Sequence, residues 1–182
     1  MKDIKLNESG KQKKAYGEWE INEVFEKFLH KSGLSVNDIN QFDINPEISD
    51  DIVNSFIGKL KKKKRTFIHV NHNKNTCREF ITAFMTVTAE YVPVKRNFDP
   101  VDYSIHLEDF VLLICEAKKE DFEKGAIQNI VQMHSAISDK TDIEPEPQVQ
   151  IYSIVTNALG WYFLKWIGSP KNPQLEASEP HF

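Results

Sequence analysis

Residues 110–115, Phe-Val-Leu-Leu-Ile-Cys, form an unbroken apolar run that breaks off at Glu116-Ala117-Lys118-Lys119. Six residues are far short of the ~20 a membrane helix needs, but they match an ordinary strand. Side chains alternate along a strand, so a run without polar interruption must be covered on both faces. The chain is therefore predicted to hold a central sheet with material packed on each side. At 182 residues it is long enough for one domain that buries roughly 70% of its extended-chain surface without needing disulfides. Its two cysteines, Cys77 and Cys115, exclude a disulfide framework and a cysteine-rich zinc cage.

The neighbouring sequence supplies the other layers. Apolar residues recur at helical spacing from Trp19 to Leu29, with Gly33 beyond as a stop, and again from Ile48 to Leu60 after Pro46. A short strand is expected over 65–70 and a turn over 71–75. A long helix is then expected from Thr76 to about Tyr91. Three β-rich runs follow in quick succession, at 91–95, 101–107 and 110–117. Helical spacing returns over 122–137, and two strands close the pattern at 149–156 and 161–167.

The order helix, three strands, helix, two strands predicts an α/β (α+β) fold. Its mixed central β-sheet is flanked by helices and preceded by an N-terminal helical extension. We expect a flexible arm over 1–17, the helical extension over 18–65, the core over 66–167 and a polar, frayed tail over 168–182. The N-terminus has no apolar leader segment and no stretch reads as membrane-spanning, so an intracellular protein, cytoplasmic or nuclear, is expected.

Charge is uneven. The net value is −4, yet residues 1–65 hold 13 Lys and Arg against 11 Asp and Glu, whereas 66–182 hold 10 against 16. The densest positive cluster is Lys61, Lys62, Lys63, Lys64 and Arg65. It reads as a nuclear-localisation signal, as a phosphate-binding stripe, or as the solvated end of a helix whose C-terminal dipole favours cations.

The chemistry concentrates where the apolar run ends. Glu116 and Lys118 fall two apart, on one face of a strand. Carboxylates just beyond the buried part of a central strand suit a hard cation such as Mg²⁺, which takes oxygen ligands and keeps several waters. A lysine beside it can orient water or neutralise charge on a phosphoryl-transfer transition state.

An acid at the start of one hairpin strand (Asp102, in Asp99-Pro100-Val101-Asp102-Tyr103), Glu116-x-Lys118 at the end of the next, and then a helix bearing Gln128 and Gln132 resemble the PD-(D/E)XK nuclease superfamily. The likeness spans about residues 75–167. The stretch from Ile154 to Trp161, with its Thr156-Asn157 and Gly160-Trp161, is similar to restriction-type branches and to the nuclease domains of crinkler-type effector proteins.

The resemblance implies a restriction-endonuclease-like core and a metal-dependent DNA endonuclease. Asp102 and Glu116 would be the metal ligands, with the Ala117 carbonyl and Glu79 as further candidates. Lys118 would be the catalytic lysine and Gln128 the helix glutamine. Mg²⁺, or Mn²⁺ in its place, is the implied cofactor. Double-stranded DNA, in preference to RNA, is the implied partner. Lys119, Arg78, Lys95, Arg96 and the cluster Lys61, Lys62, Lys63, Lys64 and Arg65 are the basic groups available to hold it. The alternative is a catalytically inactive module of the same fold that binds DNA or a protein; the acidic balance of 66–182 favours it, because a DNA cleft needs compensating cations. The apolar helix faces within 18–60 also need cover, so a homodimer is a further candidate assembly.

Register sets a condition on the site. If Leu107 and Phe110 close a two-residue turn, Asp102 stands opposite Cys115, on the wrong side from Glu116. A shared metal then requires an odd-numbered loop or a β-bulge near Asp102. Elsewhere, His69 and His72 lack the partners a zinc site needs. His106 and His134 read as structural, and Cys115 as buried rather than nucleophilic.

Overall fold

The computed structural model describes residues 14–44, 49–66, 74–91, 95–99, 101–107, 110–116, 121–138 and 150–182. Side chains are described over 14–44, 49–62, 76–86, 121–138 and 150–182, and backbone alone for the rest. The described residues include four α-helices: α1 (Ile21–Phe28), α2 (Asp50–Thr66), α3 (Lys74–Tyr91) and α4 (Phe122–Ser138). Their strands are β1 (Asn40–Gln41), β2 (Lys95–Asp99), β3 (Val101–Leu107), β4 (Phe110–Glu116), β5 (Gln150–Thr156), β6 (Trp161–Ile167) and β7 (Gln174–Ala177). They form one mixed sheet in the order β1-β7-β6-β5-β4-β3-β2. No described helix is long and apolar enough to cross a membrane.

The apolar run 110–115 lies in β4, in the interior of the sheet, as its composition requires. β4 pairs parallel with β5, and α4 makes the crossover between them. Both strands therefore end at the same edge, with Glu116 level with Thr156. Alternation along β5 and β6 separates two layers. Ile151, Val155, Tyr162, Leu164 and Trp166 belong to a large cluster with Ala126, Ile130 and Met133 of α4. Ile154, Trp161 and Phe163 belong to a smaller cluster with Ile81, Phe84 and Met85 of α3. Helices α3 and α4 thus cover opposite faces.

Several expectations need correction. Within the helical extension expected over 18–65, Val24, Phe25 and Phe28 of α1 join the α4-side core, and β1 pairs parallel with β7. The first helix is closed by His30 at φ 55°, ahead of Gly33 at φ 71°. Lys31 N–H then donates to the Phe25 carbonyl, the left-handed helix stop that glycine more often supplies. The strand expected over 65–70 is displaced at its start, since Arg65 and Thr66 belong to α2. Lysine and arginine are good helix formers and favour a helix C-terminus. The rest of that call, the turn over 71–73 and the pair His69 and His72 lie outside the described residues. Likewise Tyr91 ends α3, and the strand there is β2, further on. Its Lys95 and Arg96 suit an edge, where charge discourages pairing with another chain.

The tail is the largest departure. Expected to fray, it turns at Gly168 (φ 91°) and returns as β7 against β6, with Leu175 and Ala177 buried. Without it, β6 would be an uncovered sheet edge. Beyond β7, the backbones of Trp161 and His181 exchange hydrogen bonds of 2.7 and 2.8 Å. Of the arm expected over 1–17, the part from Lys14 onward is described. Its Lys14 ammonium pairs with Glu23 and lies 4.9 Å above the Trp19 ring.

Candidate active site at the carboxyl ends of β4 and β5

In an open sheet the carboxyl ends of adjacent parallel strands border a natural ligand crevice. Here that edge is a row running from Glu116 to Thr156 to Trp161, each level with the next. With strands about 4.8 Å apart, the backbones of Glu116 and Trp161 stand roughly 10 Å from one another.

The turn after β5 is tied down by its own side chains. Thr156 Oγ1 donates to the Gly160 carbonyl at 2.8 Å and accepts from Ala158 N–H at 3.0 Å. Asn157 Oδ1 accepts from Leu159 N–H at 3.1 Å and Gly160 N–H at 2.8 Å. Ala158 is held at φ 72°, a region costly for any residue with a Cβ. Gly160 has no space for one: a Cβ there would stand 2.9 Å from the Phe122 ring and 2.8 Å from Phe182. The Thr-Asn…Gly-Trp pattern of the sequence therefore encodes a self-capped shelf beside the end of β4.

At β3 the register has two parts. Against β4, Leu107 pairs with Phe110, Ser104 with Leu113 and Tyr103 with Ile114. This is the two-residue-turn register, whose extension sets Asp102 level with Cys115. Against β2, Asn97 pairs with Ser104 but Asp99 with Val101. One residue of β2, Phe98, therefore opposes two of β3, Asp102 and Tyr103, the arrangement of a β-bulge. The irregularity is beside Asp102 but on the β2 side; against β4 the register is regular as far as Tyr103 and Ile114.

The other candidates are dispersed. Glu79 is exposed and Arg78 half-buried on α3, the layer facing Ile154. Gln128 is half-buried on α4, in the opposite layer, with its Oε1 4.0 Å from where a Gly17 side chain would begin. The sheet thus separates Glu79 from Gln128. Lys61 and Lys62 are exposed on α2, and Lys63, Lys64 and Arg65 continue that helix. Lys95 and Arg96 lie on the edge strand β2. Ala117, Lys118 and Lys119 lie outside the described residues, as do the side chains of Asp102, Glu116, His106 and Cys115. Among the described residues, no three His, Cys, Asp or Glu side chains group as a metal site.

Two polar residues of α4 are buried: Asn129, which the motif does not single out, and Gln132, which it names beside Gln128. Asn129 is fully buried; its Nδ2 donates to Ser153 Oγ at 2.5 Å and to the Ile154 carbonyl at 3.2 Å. Gln132 is also buried, and its Oε1 has no hydrogen-bond partner among the described residues. An asparagine amid Ile127, Ile130 and Val131 was the only sequence signal, and it is a weak one. His134 fits its structural reading: its ring packs 4.5 Å from Phe28 and 5.9 Å from Trp166. Burial first, then the nearby His30 and Lys27 charges, push its pKa below the usual histidine value.

Compared with family models, curated proteins and solved structures, the chain matches none.

Proposed function

We propose that the protein is a metal-dependent DNA endonuclease with a restriction-endonuclease-like core spanning α3 to β6. The observation that carries the reading is the β2–β3 irregularity, where Asp102 and Tyr103 oppose Phe98 alone, one strand away from the β4 end that carries Glu116. An Asp102–Glu116 pair needs an irregularity near Asp102, and this one supports the reading from the β2 side, while β3 and β4 pair regularly from Leu107–Phe110 to Tyr103–Ile114. The element order agrees: one helix, three strands, a second helix on the other face, and two further strands in a single mixed sheet.

The donor set suits Mg²⁺ or Mn²⁺, since Asp102, Glu116 and the Ala117 carbonyl offer only oxygen. When bound, such a cation lowers the pKa of water and offsets charge on a phosphodiester. The protein's own residues do the rest. Asp102 and Glu116 hold the cation at the end of the sheet. Lys118 orients the attacking water and donates to the phosphoryl oxygens as their charge grows. The basic groups Lys119, Arg78, Lys95 and Arg96, with the α2 lysines, bind the DNA backbone and fix its register without reading sequence. The resemblance would add Gln128 from α4 or Glu79 from α3, which lie on opposite faces of the sheet.

The decisive assay incubates the purified chain with supercoiled plasmid and Mg²⁺ or Mn²⁺. Nicking or linearisation is expected, lost in Glu116→Ala and in Lys118→Ala. Cleavage that persists in both variants, or that never occurs with any divalent metal, overturns the reading. DNA binding without cleavage would instead mark an inactive module of the same fold, which the acidic balance of residues 66–182 favours.

A further inference from the structure

A pocket of about 320 Å³ opens where α2 crosses α3 above the turn between β5 and β6. Its walls are Phe56 and Leu60 of α2, Phe80 and Phe84 of α3, and Trp161 of β6, with Lys61 at the rim. The aromatic rings are already mutually ordered: Phe84 lies 4.4 Å from Trp161 at a tilt of 32°, and Phe56 meets Phe84 edge-on at 5.0 Å. Ile57, also on the pocket wall, is 38% exposed. Lys62 is exposed beside Lys61, and α2 carries its remaining positive charges over the next turn.

The position of the pocket adds to its composition. Trp161 stands level with Thr156, and Thr156 with Glu116. The pocket thus opens at the same end of the sheet as the candidate metal site.

Aromatic walls beside lysines fit one ligand chemistry closely. Single-stranded nucleic acid is held by rings that stack on bases and by cations that follow the phosphates. The volume lies at the lower end of the roughly 300–1,000 Å³ of small-ligand sites. That suits one planar ring system better than the row of side chains a docked helix presents.

We propose that this pocket takes an unpaired base of a DNA strand, with Lys61 and Lys62 holding the adjacent phosphates. The nuclease would then act on DNA that has single-stranded or frayed character. The proposal rests on the nuclease reading for the identity of its ligand, but binding itself needs neither metal nor cleavage.

The test is fluorescence anisotropy in EDTA with three labelled probes of equal length: oligo-dT, its duplex with oligo-dA, and a chain of abasic deoxyribose phosphates. The wild-type protein is expected to bind oligo-dT more tightly than either other probe. Phe56→Leu, which keeps the site apolar, should weaken oligo-dT binding roughly tenfold and leave the abasic probe unaffected. The double variant Lys61→Glu/Lys62→Glu should weaken both single-stranded probes and flatten the salt dependence by about one to two phosphate contacts.

Equal affinity for oligo-dT and the abasic probe overturns the proposal, as does oligo-dT binding untouched in both variants while circular dichroism reports a folded protein. Saturable filling by dodecanoate with no oligo-dT binding also overturns it, and assigns the pocket to an anionic amphiphile. Plasmid cleavage with no effect of Phe56→Leu on oligo-dT binding removes the pocket reading alone. Base-dependent oligo-dT binding with no cleavage under any metal removes the nuclease reading alone.

Discussion

On the α4 side, β5 and β6 are sealed: Ile151, Val155, Leu164 and Trp166 are fully buried beneath Ala126, Ile130 and Met133. On the α3 side, among the described residues, buried cover lies over Ile154 near the end of β5, and the β6 residues of that face, among them Trp161, Phe163 and Lys165, are half-buried. Further along, polar groups take over, as in the cross-strand pair of Lys165 and Glu176 at 3.1 Å. The fully packed face stabilises the fold, and the incompletely packed face leaves room for ligands. Both the aromatic pocket and the level of Glu116 fall at the helix-covered end of that face.

The sharpest way to break this contrast is to excavate both faces. Trp166→Ala should cost about 3–5 kcal/mol in urea denaturation, because it removes a fully buried indole from a close-packed layer. Met85→Ala, on the smaller α3-side cluster, should cost nearer 2 kcal/mol, at the low end for a buried methionine. Equal losses would show that the faces are packed alike.

The next effect tests what the Glu116 end of the sheet is for. Lys118→Ala and Glu116→Ala should lower plasmid cleavage by about 10²–10³, the scale for losing one charge-stabilising group. Their unfolding free energies should remain within about 0.5 kcal/mol of the wild type, the range for substitutions that remove no packed group. Parallel losses of stability and cleavage would move Glu116 to the packed side of the comparison.

A smaller effect concerns the shelf. Ala158→Gly should stabilise the protein by about 1 kcal/mol, because glycine accepts φ 72° without the Cβ penalty. A loss of stability there would mean that the Ala158 methyl contributes more through packing than it costs in backbone strain.

The smallest effect is a pH dependence on the α4 side. Burial holds the His134 pKa below its unfolded value of about 6.5, so the unfolded chain binds the proton more readily. Its contribution should be fully present above pH 6.5 and decline as the pH falls from there through the lower folded value. His134→Gln should flatten that part of the stability profile; an unchanged slope would assign it to other groups. Alkaline pH acts similarly through Tyr162, whose pKa burial pushes up to about 12. That contribution is present below pH 10 and lost as the pH rises toward 12.

Much of this molecule could be read from local pattern. The run 110–115 required a strand, and β4 is one, paired on both edges within the sheet. The helix from Phe122, the strand from Trp161 and the β3–β4 hairpin all follow the periodicity of their own residues, because helix and strand faces repeat within one element. The Thr-Asn…Gly-Trp turn was legible for the same reason: its hydrogen bonds close within five residues.

The remaining features depended on partners distant in the chain. Residues 174–177 became a strand because β6 had an edge to pair, and nothing inside Gln174–Ala177 announces that edge. Asn129, rather than Gln128, reaches the sheet because α4's rotation is set by packing against β5 and α1. The irregularity at Asp102 arises from fitting β3 between two neighbours of different register, and a single strand's sequence carries no register. The aromatic pocket needs α2, α3 and the β5–β6 turn to meet, residues about a hundred apart. Sequence by itself determined the main helices, the strands β3 to β6 and where the acids and lysines concentrate. Only the tertiary structure decided which of those groups share a face, because that depends on non-local pairing and cover.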